Sequence, residues 1–172
     1  MKKFNIYEEN SLKTTSDIYN RMLSAYSEEI NAWYFYLICT NFLTGKEAKQ
    51  VEKLFKTNGE DELEDHAYWL LERLNQLNKS VEPVCNLSFL EKIAEHKYIN
   101  PKFDKYGNID TMDILEKAKQ SEIDAIETYN KLIKMTDKVD PVSNLKFKEI
   151  LGDEEEHLAN IEELITNIKN MK

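Results

Sequence analysis

The sequence predicts an all-α fold: a four-helix bundle of two antiparallel helix hairpins joined by a long crossover that carries one short helix. Three observations predict it. The 172 residues include only 4 Gly and 3 Pro, and Glu, Lys and Leu are abundant while strand-like alternation is scarce, a composition that favours long helices. One motif, Glu29-x-x-Ala32-x-x-x-Tyr36, recurs as Glu122-x-x-Ala125-x-x-x-Tyr129, and each copy is followed by a carboxylate-rich run ending in His, Asp61–His66 and Asp153–His157. The chain therefore reads as two copies of a helix pair. Between them, Lys79 to Asp110 holds Pro83, Pro101 and the turn-like Gly107-Asn108. A connection that long inside a compact domain usually crosses over the bundle.

The elements follow in order. Residues 1–15 read as an N-terminal extension and 16–170 as the bundle domain. Helix A starts near Ser16 or Asp17, either of which can cap it, and stops at Gly45. Its middle is apolar nearly all round, which predicts burial on more than one side. Helix B runs from about Lys46 to Leu77, with Asn58-Gly59 as an irregularity inside it. A short helix around Ser88–His96 sits in the crossover. Asp110 caps helix C, which ends near Asp137. Asp140-Pro141 supplies a cap and a first-turn residue for helix D, which runs almost to the end.

Composition excludes several classes. A formal net charge of −9 argues against general nucleic-acid binding through the body of the protein and suits a surface that collects cations. Cys39 and Cys85 have no CxxC spacing, so neither a zinc framework nor a disulfide framework is expected. The opening MKKFNIYEEN lacks the apolar run of a signal peptide. The longest apolar stretch, residues 32–43, contains Thr40 and Asn41 and is too short to span a bilayer. The expectation is a soluble cytoplasmic protein without membrane contact.

Helix geometry selects among the many acids. At about 100° per residue, the stripe through Glu29 holds Met22, Tyr26, Trp33, Tyr36 and Leu37. Its neighbour Glu28 shares a stripe with Arg21, Ser24 and Asn31. Glu29 is thus expected in the core and Glu28 in water. Glu122 lines up with Leu115, Ala118, Ala125, Ile126, Tyr129 and Leu132, whereas Glu127 lies with Gln120, Asp124, Lys131 and Lys134 on a solvated face. Glu154 and His157 fall between Ile150, Leu151 and Ile161, Leu164. On helix B, His66 has Trp69 and Leu70 below it and Glu62 one turn above.

A single Glu at helical spacing is normally solvated, and a single His on an apolar face is normally bonded to a carbonyl. Four helices that each place an acid inward near mid-helix, two of them adding an inward His, form a different pattern. Such groups are expensive to bury unless a metal compensates them. Four carboxylates balance the charge of two Fe²⁺, and neutral imidazoles add nitrogen ligands without charge. Mixed carboxylate and imidazole donors suit iron or manganese, and the lack of thiolate argues against structural zinc.

At these residues the chain resembles the ferritin-like di-iron superfamily of ferritins, bacterioferritins, Dps-like proteins and rubrerythrins. ILGDEEEHLANIEELI (150–165) is similar to the family's helix D, with Glu154-x-x-His157 in the expected spacing. EINAWYFYL (29–37) is similar to helix A of bacterioferritins, and the Glu122 segment to helix C. With DPVS at 140–143, the C-terminal half most resembles Dps-like proteins that keep a bacterioferritin-type di-iron site. The resemblance implies a metal set of Glu29, Glu62, His66, Glu122, Glu154 and His157 holding two irons per subunit, with manganese as an alternative. It implies Tyr36 and Tyr129 as hydrogen-bonding or electron-donating catalytic residues, against a plain packing role.

Helix B departs from the pattern. The family expects Glu three residues before His, but Leu63 stands there. Glu62 is four residues before His66, and Asp65 directly precedes it. Glu62 is chosen because an i, i+4 pair shares a face. Helix B contains no Met, so no haem is expected. The resemblance further implies iron storage and detoxification: oxidation of Fe²⁺ by O₂ or H₂O₂ and retention of Fe³⁺ in a homo-oligomeric cage of 12 or 24 subunits. The alternatives are a rubrerythrin-like di-iron peroxidase without storage and a Dps-like DNA-protecting protein. For the last, the N-terminal arm offers only Lys2, Lys3 and Lys13 against Glu8 and Glu9, so DNA binding is not expected.

Overall fold

The computed structural model describes the backbone of residues 5–77 and 101–170, and the side chains of 16–77 and 101–170. The described residues form four helical rods. The first is α1, Asn5–Phe42; the third is α4, Thr111–Thr136; the fourth is α5, Pro141–Asn170. The second rod is composite: α2, Ala48–Glu60, a wide-turned π segment, Asp61–Ala67, and α3, Tyr68–Gln76. Helical dihedrals at Glu60, Asp61, Ala67 and Tyr68 make the three pieces one continuous helix. The short helix expected at Ser88–His96 lies outside the described residues, as does Cys85. Among the described residues no helix is long and apolar enough to cross a membrane.

The expected capping is realised in the second hairpin. The Asp110 carboxylate accepts from the N–H groups of Met112 (2.9 Å) and Asp113 (3.1 Å). Asp140 accepts from the Ser143 N–H at 3.2 Å, ahead of Pro141. These bonds satisfy donors that a helix start leaves unpaired. Arg73 also bonds Asp140 at 2.7 Å and Ser143 at 2.9 Å, tying the end of α3 to the start of α5.

Two expectations about α1 are corrected. It is helical from Asn5 rather than from Ser16, because neither Gly nor Pro interrupts the run to Phe42. Its buried arc is also wider and turned towards α4, since α1 packs on both the second rod and α4. Leu37, counted into the Glu29 stripe, is 43% exposed. The Glu28 stripe, assigned to water, is half-buried, and Asn31 on it is buried.

The core falls into two apolar plugs. One gathers Phe35, Cys39, Val51, Phe55, Leu115 and Ile161. The other gathers Met22, Ala25, Leu70, Leu132, Phe147 and Ile150. The free thiol of Cys39 is buried in the first, and burial pushes its pKa up to about 12. At Gly59, a Cβ would stand 3.2 Å from the Cβ of Tyr36. Glycine there lets the second rod lean onto α1, just before the π segment begins.

Candidate metal centre

A polar layer lies between the two plugs. Glu29 comes from α1, Glu62 and His66 from the π segment, Glu122 from α4, and Glu154 and His157 from α5. All six side chains are buried, and His66 and Glu154 have no exposed surface. The sequence-selected set is thus brought together without omission. Glu64 and Asp65, the neighbouring acids on the same rod, are exposed.

The π segment explains how a one-residue misfit closes. The Tyr68 N–H donates to the Leu63 carbonyl, five residues back. An i→i+5 turn takes up one residue more than an α-turn, and such turns occur as single bulges within α-helices. The extra residue between carboxylate and imidazole is absorbed there, so Glu62 and His66 both face the layer despite their i, i+4 spacing.

The six residues form two overlapping groups. Glu29, Glu62, His66 and Glu154 offer ligand atoms within 4.8 Å of one another, and so do Glu62, Glu122, Glu154 and His157. Glu62 and Glu154 belong to both groups. His66 Nδ1 lies 3.3 Å from Glu62, 3.2 Å from Glu154 and 3.7 Å from Glu29. His157 Nδ1 lies 3.5 Å from Glu62, 3.8 Å from Glu154 and 3.9 Å from Glu122. Both Glu154 oxygens and His157 Nδ1 are buried without a hydrogen-bond partner. Buried polar atoms that find no protein partner are costly. These particular atoms, carboxylate oxygens beside an imidazole nitrogen, are donors that fit a divalent cation.

Two sets of supporting contacts cross the layer. The Tyr36 hydroxyl on α1 donates to Glu122 on α4, and the Tyr129 hydroxyl on α4 donates to Glu29 on α1. Each repeat's tyrosine therefore holds the other repeat's carboxylate rather than its own. Likewise His66 Nε2 meets Asp153 at 3.4 Å, and His157 Nε2 meets Asp61 at 3.2 Å. Each Asp directly precedes the inward Glu of its run. Such outer partners fix ring orientation and raise imidazole basicity. The sequence reading did not assign these aspartates, although the repeated Asp-Glu pair at 61–62 and 153–154 is a visible signal.

The electrostatics are those of crowded buried acids. Burial, then the charges of Glu62 and Glu154, hold Glu29 well above the ordinary carboxylate range. Burial and the same two neighbours do so for Glu122. Burial would raise Glu62 as well, but its polar contacts with Glu29, His157 and His66 pull it below the usual value. Burial would lower His157, but Glu154 and Glu62 keep it protonated up to about 11. His66 is held up in the same way, first by Asp153 and Glu154. The raised values of Glu29, Glu122 and both imidazoles are the compensation expected where like charges are buried together.

A four-helix bundle with two overlapping buried groups of carboxylates and an imidazole that could hold a metal ion defines the class of the protein. The chain belongs to the ferritin-like family, whose domain model matches residues 20–171. Among solved structures it is similar to a dodecameric thioferritin of the bacterial domain, the bacterioferritin-related protein from Bacteroides fragilis. That likeness has 25% identity, a TM-score of 0.80 and coverage of 95% of this chain and 96% of the other. It also shares its fold with ferritin-like diiron-carboxylate proteins from Bacillus anthracis str. Ames, at 18% identity and a TM-score of 0.68, over 88% of this chain and 97% of the other. No curated protein matches by sequence.

Proposed function

We propose that this protein binds two Fe²⁺ in the polar layer of each subunit, oxidises them with O₂ or H₂O₂, and retains Fe³⁺ inside a cytoplasmic homo-oligomeric cage. One observation carries the reading: two ligand groups of three carboxylates and one imidazole that share Glu62 and Glu154. Glu62 and Glu154, common to both groups, would serve both ions, while Glu29 with His66, and Glu122 with His157, would each serve one. Two ferrous ions supply one electron each. Hydrogen peroxide accepts both and, with two protons, leaves as two waters; dioxygen accepts both and, with two protons, leaves as hydrogen peroxide.

The chain's own groups serve this chemistry. Four carboxylates stabilise the higher oxidation state by charge. Tyr36 and Tyr129 orient the terminal carboxylates and are oxidisable side chains hydrogen-bonded to the layer. Asp61 and Asp153 keep each imidazole turned with Nδ1 towards the cations. A 12-subunit assembly is the natural expectation, since the Bacteroides fragilis relative is dodecameric. Manganese fits the same donors, and iron is preferred here because the diiron-carboxylate relatives share the fold.

The test is native mass of the protein after iron loading with peroxide or air. A dodecamer retaining far more than two irons per chain is the expected result. A monomer or dimer, or a particle holding no iron beyond its bound pair, would overturn storage and leave a non-storing oxidase or peroxidase.

A further inference from the structure

Arg21, Ser24 and Glu28 lie on the face assigned to water, yet they form a closed set of bonds across the α1–α4 seam. The Arg21 guanidinium donates to Glu28 (3.1 Å), to Ser24 (3.3 Å) and to the Thr128 hydroxyl of α4. Thr128 in turn donates to the other Glu28 oxygen at 2.8 Å. Thr128 is buried, and Arg21 and Glu28 keep 26% and 32% of their side chains exposed.

This set stands beside a cavity of about 340 Å³ whose lining includes Arg21, Glu28 and Thr128 together with Glu29, Glu62 and Glu122 of the polar layer. The cavity therefore joins the seam to the layer. Ala32 and Ala125, the alanines of the repeated Glu-x-x-Ala motif, line it too. Small side chains at these matched positions leave the space that a leucine would fill. A second ion pair on the lining, Lys131–Glu127 (3.3 Å), is largely exposed and so weakly felt. Arg21–Glu28 is the half-buried pair, where charge is screened less.

We propose that the α1–α4 cavity is the passage by which a divalent cation reaches the layer, that Glu28 is a carboxylate contact along it, and that Arg21 sets the rate by occupying that carboxylate. The proposal rests on the reading of the layer as a cation site. A cation approaching Glu28 must compete with a guanidinium already held by Thr128 and Ser24. The alanines keep the way open below. Removing the Arg21 charge exposes a carboxylate to the incoming ion, whereas removing the Glu28 charge leaves an uncompensated guanidinium in its path.

The experiment follows Co²⁺ capture by stopped-flow absorption at low ionic strength, which needs no oxidation. R21Q should capture Co²⁺ about threefold faster or more, and E28Q slower by a similar factor, as expected for one unit charge beside the path. The R21Q/E28Q double variant should return close to the wild-type rate. A125L, which fills the cavity without altering charge, should slow capture while the final stoichiometry stays at two. Equal capture rates in all variants with two Co²⁺ bound would overturn the passage and leave the proposed function intact. R21Q and E28Q shifting in the same direction would reduce the set to a structural tie. Wild-type protein that binds no Co²⁺ would overturn both.

Discussion

Stripped of cations by a chelator, the protein should lose stability steeply between pH 7 and pH 9. The sign follows from the raised pKa of His157. Its imidazole ordinarily titrates near 6.5 but stays protonated in the fold up to about 11. Below pH 6.5 both folded and unfolded chains hold the proton, and the stabilisation is complete. Above it the unfolded chain releases the proton while the fold keeps it, so stability falls as pH rises towards 11. One proton costs about 1.4 kcal/mol per pH unit, or about 2.7 kcal/mol from pH 7 to 9. For a domain of this size that lowers Tm by roughly 5–11 °C. His66, Glu29 and Glu122 are raised too, so they add in the same direction. Glu62 and Asp153 are held low, and their contribution changes only in acid. With Co²⁺ or Zn²⁺ bound, the ligands are deprotonated in the fold, and this slope should vanish. Cation binding at pH 7 should accordingly release protons, the His157 proton among them. The measurement is thermal unfolding across pH with and without the ion, alongside titration in weakly buffered solution. A flat metal-free curve, or equal slopes in both forms, would refute the assignment of protons to these groups.

Other outcomes test the layer residue by residue. Glu62→Ala should abolish rapid Fe²⁺ oxidation and cost the metal-free protein about 3–5 kcal/mol, since it strips both imidazolium groups of a buried partner. Glu64→Ala, an exposed change, should oxidise iron normally, and the reverse pattern would show that the helix B register is wrong. Deleting Leu63 restores three-residue spacing between Glu62 and the imidazole; circular dichroism should remain helical and Co²⁺ stoichiometry should remain two. Loss of binding in that variant would mean that the π segment itself shapes the site. Tyr36→Phe and Tyr129→Phe should slow single-turnover oxidation to similar extents, because the two hydroxyls hold equivalent carboxylates; a defect in only one would break that equivalence. Phe147→Ala should cost about 3–5 kcal/mol in unfolding experiments by leaving a cavity, with Co²⁺ stoichiometry unchanged.

Much of this architecture is legible in one sequence because a repeated motif constrains it twice. Glu29 and Glu122 are found by helical count, since each shares a stripe with apolar neighbours that must be buried. Asp110 and Asp140 announce helix starts by local hydrogen bonding, which does not depend on the rest of the fold. Contacts between helices are another matter. That Tyr36 reaches Glu122 and Tyr129 reaches Glu29 depends on how α1 and α4 face each other, which no periodicity within either helix states. The same holds for Arg21 and Thr128. A helical count for α1 alone sends the Glu28 face to water, because it cannot see the α4 seam that half-covers it.

Helix B shows where counting misleads and where physical need corrects it. Uniform 100° steps allow Glu62 to share a face with His66, but they give no reason for the third intervening residue. The reason is local. An inward carboxylate and an inward imidazole are both required to complete the two ligand groups, and neither can turn to water from inside the bundle. A helix that must present both across one extra residue does so most simply by widening a single turn. Gly59 lies just before that turn, where a close approach to Tyr36 brings the rod against α1. The widened turn falls where the rod presents Glu62 and His66 together to the buried layer.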